Sequence, residues 1–155
     1  MAGSTRSHGR TREWTSPLKR IGTVEVMGPS MAPTLENGDQ LLVRYGGAVR
    51  PGQVVVLRHP FQQDLLVVKR AAERRAGGWW VLGDNPYNPT GDSTDYGAVP
   101  DELVLATALA RFRPRQRPEH APEDHRSLRA WLSWVSSALR PLRADSSASS
   151  RLRAR

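Results

Sequence analysis

LLVVKRAAERRAGGWWVL, residues 65–82, is the stretch that decides the fold class. Its ends, Leu65–Ala71 (LLVVKRA) and Trp79–Leu82 (WWVL), are short apolar runs rich in β-branched and aromatic residues, and Gly77-Gly78 between them supplies a turn. Runs this short, bounded by glycine, predict a β-hairpin rather than a helix. The same grammar extends outward in both directions. Thr23–Met27 (TVEVM), Gln40–Tyr45 (QLLVRY) and Val54–Arg58 (VVVLR) are strand-like, separated by Asn37-Gly38-Asp39, Gly46-Gly47 and Pro51-Gly52. Leu103–Phe112 is the last apolar run of this region, and its alanines leave strand or helix open. The expectation is a mainly β domain, a partly open barrel or sandwich, over residues 21–113.

The composition changes on either side of that domain. Residues 1–20 carry five basic and one acidic side chain, and 144–155 are Ser- and Arg-rich, so both read as disordered basic tails. Residues 114–125 are Pro-rich and charged, a linker by composition. Leu128, Trp131, Leu132, Val135, Leu139 and Leu142 recur at helical spacing, which predicts an amphipathic helix over 126–143 with a basic face. That helix could pack on the β domain or touch a partner or membrane surface.

The net charge of +8 is not spread evenly. Residues 21–110 hold seven basic and ten acidic side chains, while 111–155 hold eleven basic and four acidic. Positive charge concentrated in tails argues against specific nucleic-acid binding. There is no cysteine, so neither a disulfide framework nor a thiolate metal site is expected. His8, His59, His120 and His125 are scattered without ligand spacing, and no metal or cofactor is called for. No run is long and apolar enough for a transmembrane anchor or a secretory signal, which places the expected protein in the cytoplasm.

Of the 23 basic residues only Lys19 and Lys69 are lysines. Arginine cannot lose its proton in a protein, whereas a buried lysine can become a neutral amine and accept one. Lys69 sits inside an apolar strand, and alternation puts it on the face of Val67 and Ala71. Ser30 lies in a Gly/Pro-bounded turn just past a strand, where a hydroxyl is held rigidly. Taken singly, Ser30 reads as a turn residue and Lys69 as a snorkelling strand lysine. Taken together with their neighbours, they read differently.

Gly28-Pro29-Ser30-Met31-Ala32-Pro33-Thr34-Leu35, Lys69-Arg70, Gly83-Asp84-Asn85 and Asp92-Ser93 occur in that order. The set resembles the signal peptidase I-like serine–lysine endopeptidases over roughly Val24 to Ala110. The resemblance implies Ser30 as nucleophile, Lys69 as general base and acid, and the Ser30 N–H as an oxyanion donor. It implies that Met31 and Gly28 line the site and that Asp84, Asn85, Asp92 and Ser93 brace the wall behind the pair. Three positions depart from the family pattern. Gly28 stands where some members have a serine, Thr94 where an arginine usually follows Asp-Ser, and the 86–91 loop lacks the serine that orients the lysine.

Val54–Arg70, Trp79–Asn85 and Gly91–Gly97 resemble in particular the nickel-type superoxide dismutase maturation proteases. That likeness implies removal of a short N-terminal propeptide from a nickel superoxide dismutase precursor. The alternatives are a membrane-associated signal peptidase docking through Leu128–Leu142, a self-cleaving DNA-binding repressor, and a non-catalytic binding module with basic tails.

Overall fold

The computed structural model describes residues 20–88, 90–113 and 139–145. Its strands are β1 (Ile21–Glu25), β2 (Gln40–Tyr45), β3 (Val54–His59), β4 (Gln62–Arg75), β5 (Gly78–Leu82), β6 (Val104–Phe112) and β7 (Leu139–Pro141). A four-residue helix, α1 (Ser93–Tyr96), and a 3-10 turn at Asp101–Leu103 complete the regular elements. The strands form one antiparallel sheet in the order β1-β2-β6-β3-β4-β5, with β7 on β6. The expected partly open β domain is therefore present as a single sheet, and the ambiguous run ending at Phe112 is a strand.

The centre of the sheet goes to the most apolar strand. Val54, Val55, Val56 and Leu57 are all buried, so β3 is covered on both faces. Val54 and Val56 join Val26, Met31, Leu35, Leu41 and Val43 in one core cluster. Val55 and Leu57 join Ala71, Trp79, Val81 and Val99 in another. The period of two along a strand turns a single VVVL run into the middle of two cores. Two loops cover the faces: the Ser30 loop contributes Met31 and Leu35 to the first, and the segment after α1 contributes Val99 to the second.

The expected amphipathic helix over 126–143 is corrected at its C-terminal end. Leu139–Pro141 is a strand paired with Ala110–Phe112, exposed along its length. Proline inside a helix lacks its N–H and clashes with the preceding turn, so Pro141 could not sit in the body of a helix. β6 also offers an edge there, because β3 pairs with it only up to Thr107. Beyond β7, Leu142 N donates to Leu109 O at 2.8 Å and Asp145 N to Gly52 O at 3.1 Å. Ala144 and Asp145 thus belong to the domain rather than to a tail. The rest of the expected helix, the 114–125 linker, residues 1–19 and residues 146–155 lie outside the described residues.

Candidate active site

Ser30 is half-buried in the loop between β1 and β2, and the loop is held at several points. Gly28 begins it with φ of 85°, a left-handed conformation that L side chains resist, and its N–H donates to Asn37 Oδ1 at 3.0 Å. A serine at this position would be strained, which accounts for the glycine. Ala32 N donates to Pro29 O and Leu35 N to Met31 O, closing successive turns. Met31, next to Ser30 in the chain, is 1% exposed and belongs to the first core cluster. Burying a methionine contributes roughly 1.5–3 kcal/mol, so Met31 anchors the loop next to Ser30.

The Gly83-Asp84-Asn85 box grips the same loop directly after β5. Asn85 N donates to Ser30 O at 3.1 Å, and Asn85 Nδ2 to Pro29 O at 2.9 Å. Thr34 Oγ1 donates to Asp84 Oδ2 at 2.6 Å. A Cβ on Gly83 would stand 2.7 Å from Ser30 O and 3.7 Å from Lys69 Nζ. Gly83 is therefore the position through which the serine loop and the lysine amine approach each other, and only a hydrogen side chain leaves the room.

Lys69 pairs with Val55 across β3 and β4, placing it on the face of the second cluster beside Val67 and Ala71, as alternation requires. It is 3% exposed. Burial pushes its ammonium below the usual lysine range, against a smaller opposing pull from Asp92 and Asp95. Nζ donates to Thr90 O at 3.5 Å. The Thr90 hydroxyl turns away, donating to Asn88 Oδ1 at 2.8 Å, so the contact to the lysine comes from the Thr90 backbone carbonyl. Among the described residues no hydrogen bond joins Lys69 to Ser30.

Asp92 and Ser93 act on the outer edge of β5. Gly83 N donates to Asp92 Oδ2 at 3.1 Å, Val81 N to Ser93 Oγ at 2.8 Å, and Trp79 N to Val99 O at 2.8 Å. Alternate N–H groups of an otherwise open edge are thus satisfied by one segment, and Gly83 is fixed at its end. Asp92 also caps α1, accepting from Thr94 N at 2.9 Å and Thr94 Oγ1 at 2.7 Å. Thr94 thus supplies two neutral donors to Asp92.

Sequence reasoning gave no role to Arg70, which is buried opposite Lys69. Its Nε and Nη2 grip Asp84 Oδ1 and Oδ2 at 2.7 and 2.5 Å, and Nη1 donates to Gly52 O at 2.7 Å. The signal was available in the sequence: an arginine next to a buried lysine in a strand must face the other way and find its own acid. Asp95 was also missed; its Oδ2 accepts from Gly91 N. A second network lies on the far side of the loop. Buried Asp39 accepts from Arg113 Nε at 2.7 Å, and Arg111 Nη1 donates to Thr34 O at 2.6 Å. Among the described residues no cluster of side chains could hold a metal ion.

The half-buried Ser30 loop and the buried Lys69 amine thus lie on either side of Gly83 in a small antiparallel β domain. The chain belongs to the Peptidase S24-like family, whose profile matches residues 9–95. It is 32% identical to mitochondrial ATP-independent inner membrane protease subunit 1a of Arabidopsis thaliana, covering 61% of this chain and 71% of that one. Mitochondrial inner membrane protease subunit 1 of Schizosaccharomyces pombe is 32% identical, over 56% of this chain and 70% of its own. The Homo sapiens protein of the same name is 26% identical, over 60% and 70%. No solved structure matches the chain.

These relatives support a signal-peptidase-like peptidase and correct one expectation. The cytoplasmic placement rested on the lack of an apolar segment, and the relatives are named for an inner membrane instead. No helix among the described residues is long and apolar enough to cross a membrane.

Proposed function

We propose that the chain is a serine endopeptidase of the signal-peptidase type, in which Ser30 attacks the scissile carbonyl and Lys69 manages the proton. The observation that carries this reading is the lysine: buried, lowered in pKa, and 3.7 Å from where a Cβ on Gly83 would stand, a point that also abuts the Ser30 carbonyl. As a neutral amine Lys69 would take the Ser30 hydroxyl proton as Oγ bonds to the carbonyl carbon. It would then return that proton to the departing amine as the peptide C–N bond breaks. Water, activated by the same lysine, would release the acyl group and regenerate Ser30. The Ser30 N–H, which has no acceptor among the described residues, would help hold the oxyanion.

A second feature supports a peptide substrate. β4 pairs with β5 only from Arg70 onward, so residues 62–69 have no strand partner on that side among the described residues. An extended precursor segment would add to this edge and be delivered to Lys69. Leu65 and Leu66 on the edge and Met27 beside the Ser30 loop are exposed, which favours an apolar segment.

The names of the relatives favour a leader peptide presented at a membrane over the other substrates considered. The nickel superoxide dismutase precursor remains the second substrate, supported by the likeness of Val54–Arg70, Trp79–Asn85 and Gly91–Gly97. The test is intact-mass spectrometry of both precursors incubated with wild type and with Ser30→Ala. A single N-terminal trimming of the leader-bearing precursor in membranes, by wild type alone, is expected. Trimming of the superoxide dismutase precursor alone would reverse the order of the two substrates. Equal trimming by Ser30→Ala would overturn the nucleophile.

A further inference from the structure

The Thr90–Gly91 peptide bond has a partner at each end. Its carbonyl accepts from Lys69 Nζ at 3.5 Å, and its N–H donates to the Asp95 carboxylate. The two contacts lie on opposite ends of one planar, polarisable group, so the charge on Asp95 strengthens the carbonyl dipole that faces the lysine. We infer that Asp95 is a positioning residue for Lys69, acting through the 90–91 peptide. This rests on the peptidase reading only for its kinetic consequence; the contact itself does not.

The surroundings make the relay effective. Gly91 adopts φ of 69°, and its carbonyl accepts from Tyr96 Oη at 3.4 Å, so the loop is held from both sides of this residue. Asp92 fixes Gly83 at the same time, leaving Asp95 free of that duty. The charged groups acting on the amine are Asp92 and Asp95, and the half-buried phenol of Tyr96 packs against the same core cluster. Burial and then the two carboxylates push that phenol upward, so it stays neutral. The groups sharing its strand face, Val55, Val67 and Ala71, do not titrate. Loss of the Asp95 charge therefore moves the Lys69 equilibrium toward the neutral amine, and loss of the acceptor lets the Thr90 carbonyl swing away.

Two variants separate these effects. Asp95→Asn keeps an acceptor for the Gly91 N–H without the charge, whereas Asp95→Ala removes both. Lys69 can be observed directly, because Lys19 is the only other lysine in the chain. With lysine labelled at 13Cε, NMR titration gives two signals, and Lys19 serves as internal control. In both variants the Lys69 midpoint should move to lower pH while that of Lys19 stays in place. On a leader peptide Asp95→Ala should lose on the order of tenfold in kcat with little change in KM, as expected of a misplaced catalytic group, and Asp95→Asn should recover most of it.

A folded Asp95→Asn protein whose Lys69 signal titrates as in wild type would overturn the inference, whether or not Asp95→Ala folds. A wild type that cleaves no leader peptide would instead count against the peptidase reading, and the titration would still decide the relay.

Discussion

Arg70 and Asp84 form a two-bond ion pair that is nearly closed to solvent, with side chains 4% and 7% exposed. The pair ties β4, one residue after the lysine, to the box that grips the serine loop. Breaking a buried pair from one side strands a charge, at a cost of about 3–5 kcal/mol. Arg70→Met and Asp84→Asn should each lower unfolding free energy by about that much in denaturant melts. The double variant Arg70→Met/Asp84→Leu should recover part of the loss, because no uncompensated charge remains.

Gly83→Ala tests the close approach. The added methyl would overlap Ser30 O, 2.7 Å away, so either the serine loop or the end of β5 must move. Displacements near 1 Å at a catalytic centre cost about 10²-fold, and a loss of that order in kcat/KM is expected. The melting temperature should fall far less than in the Arg70 variants.

Asp39 governs acid stability on the far side of the loop. Burial alone would raise its carboxyl, but hydrogen bonds from Arg113 and Glu36 N, and the charges of Arg113 and Arg111, outweigh that and lower it. A folded-state value below the unfolded one gives stability that is present above the unfolded value, near 3.9, and lost as pH falls below it. Asp39→Asn should reduce stability near neutral pH by about 2 kcal/mol, the scale of a charge-assisted hydrogen bond. The acid limb of the pH–stability curve should be shallower than in wild type.

Lys69 itself should cost stability. Its folded-state value lies below the unfolded one, so the unfolded chain binds more protons between the two, and stability rises with pH through that window. Below it the full penalty of a buried ammonium applies. Lys69→Met should therefore raise unfolding free energy at neutral pH by on the order of 1 kcal/mol while abolishing cleavage.

Much of this was legible in the sequence because short apolar runs and turn residues map directly onto strands. Gln40–Tyr45 carries its own boundaries, and VVVLR reads as a strand after Pro51-Gly52, although its burial on both faces became visible only in the sheet. Lys69 was readable because a single lysine stands where arginine would otherwise be used. β4 runs beyond its apolar run because Gln62, Gln63 and Asp64, and later Glu73, Arg74 and Arg75, are polar residues held in strand by the neighbouring ladders. β7 was missed because three residues ending in proline have no strand signal of their own; the vacant edge of β6 supplies it. The Arg70–Asp84 pair and the Asp95 contact join residues 14 and 4 apart through turns whose path no local pattern gives.

The central claim is that a neutral Lys69 activates Ser30, and the kcat/KM–pH profile of wild type beside Lys69→Arg tests it most directly. Wild type should gain activity with rising pH through a single limb below the ordinary lysine range. Lys69→Arg keeps the positive charge but cannot give up its proton, and should lose about 10²–10⁴-fold at every pH, the scale of general base catalysis. A Lys69→Arg protein with near-wild-type activity and the same limb would contradict the account.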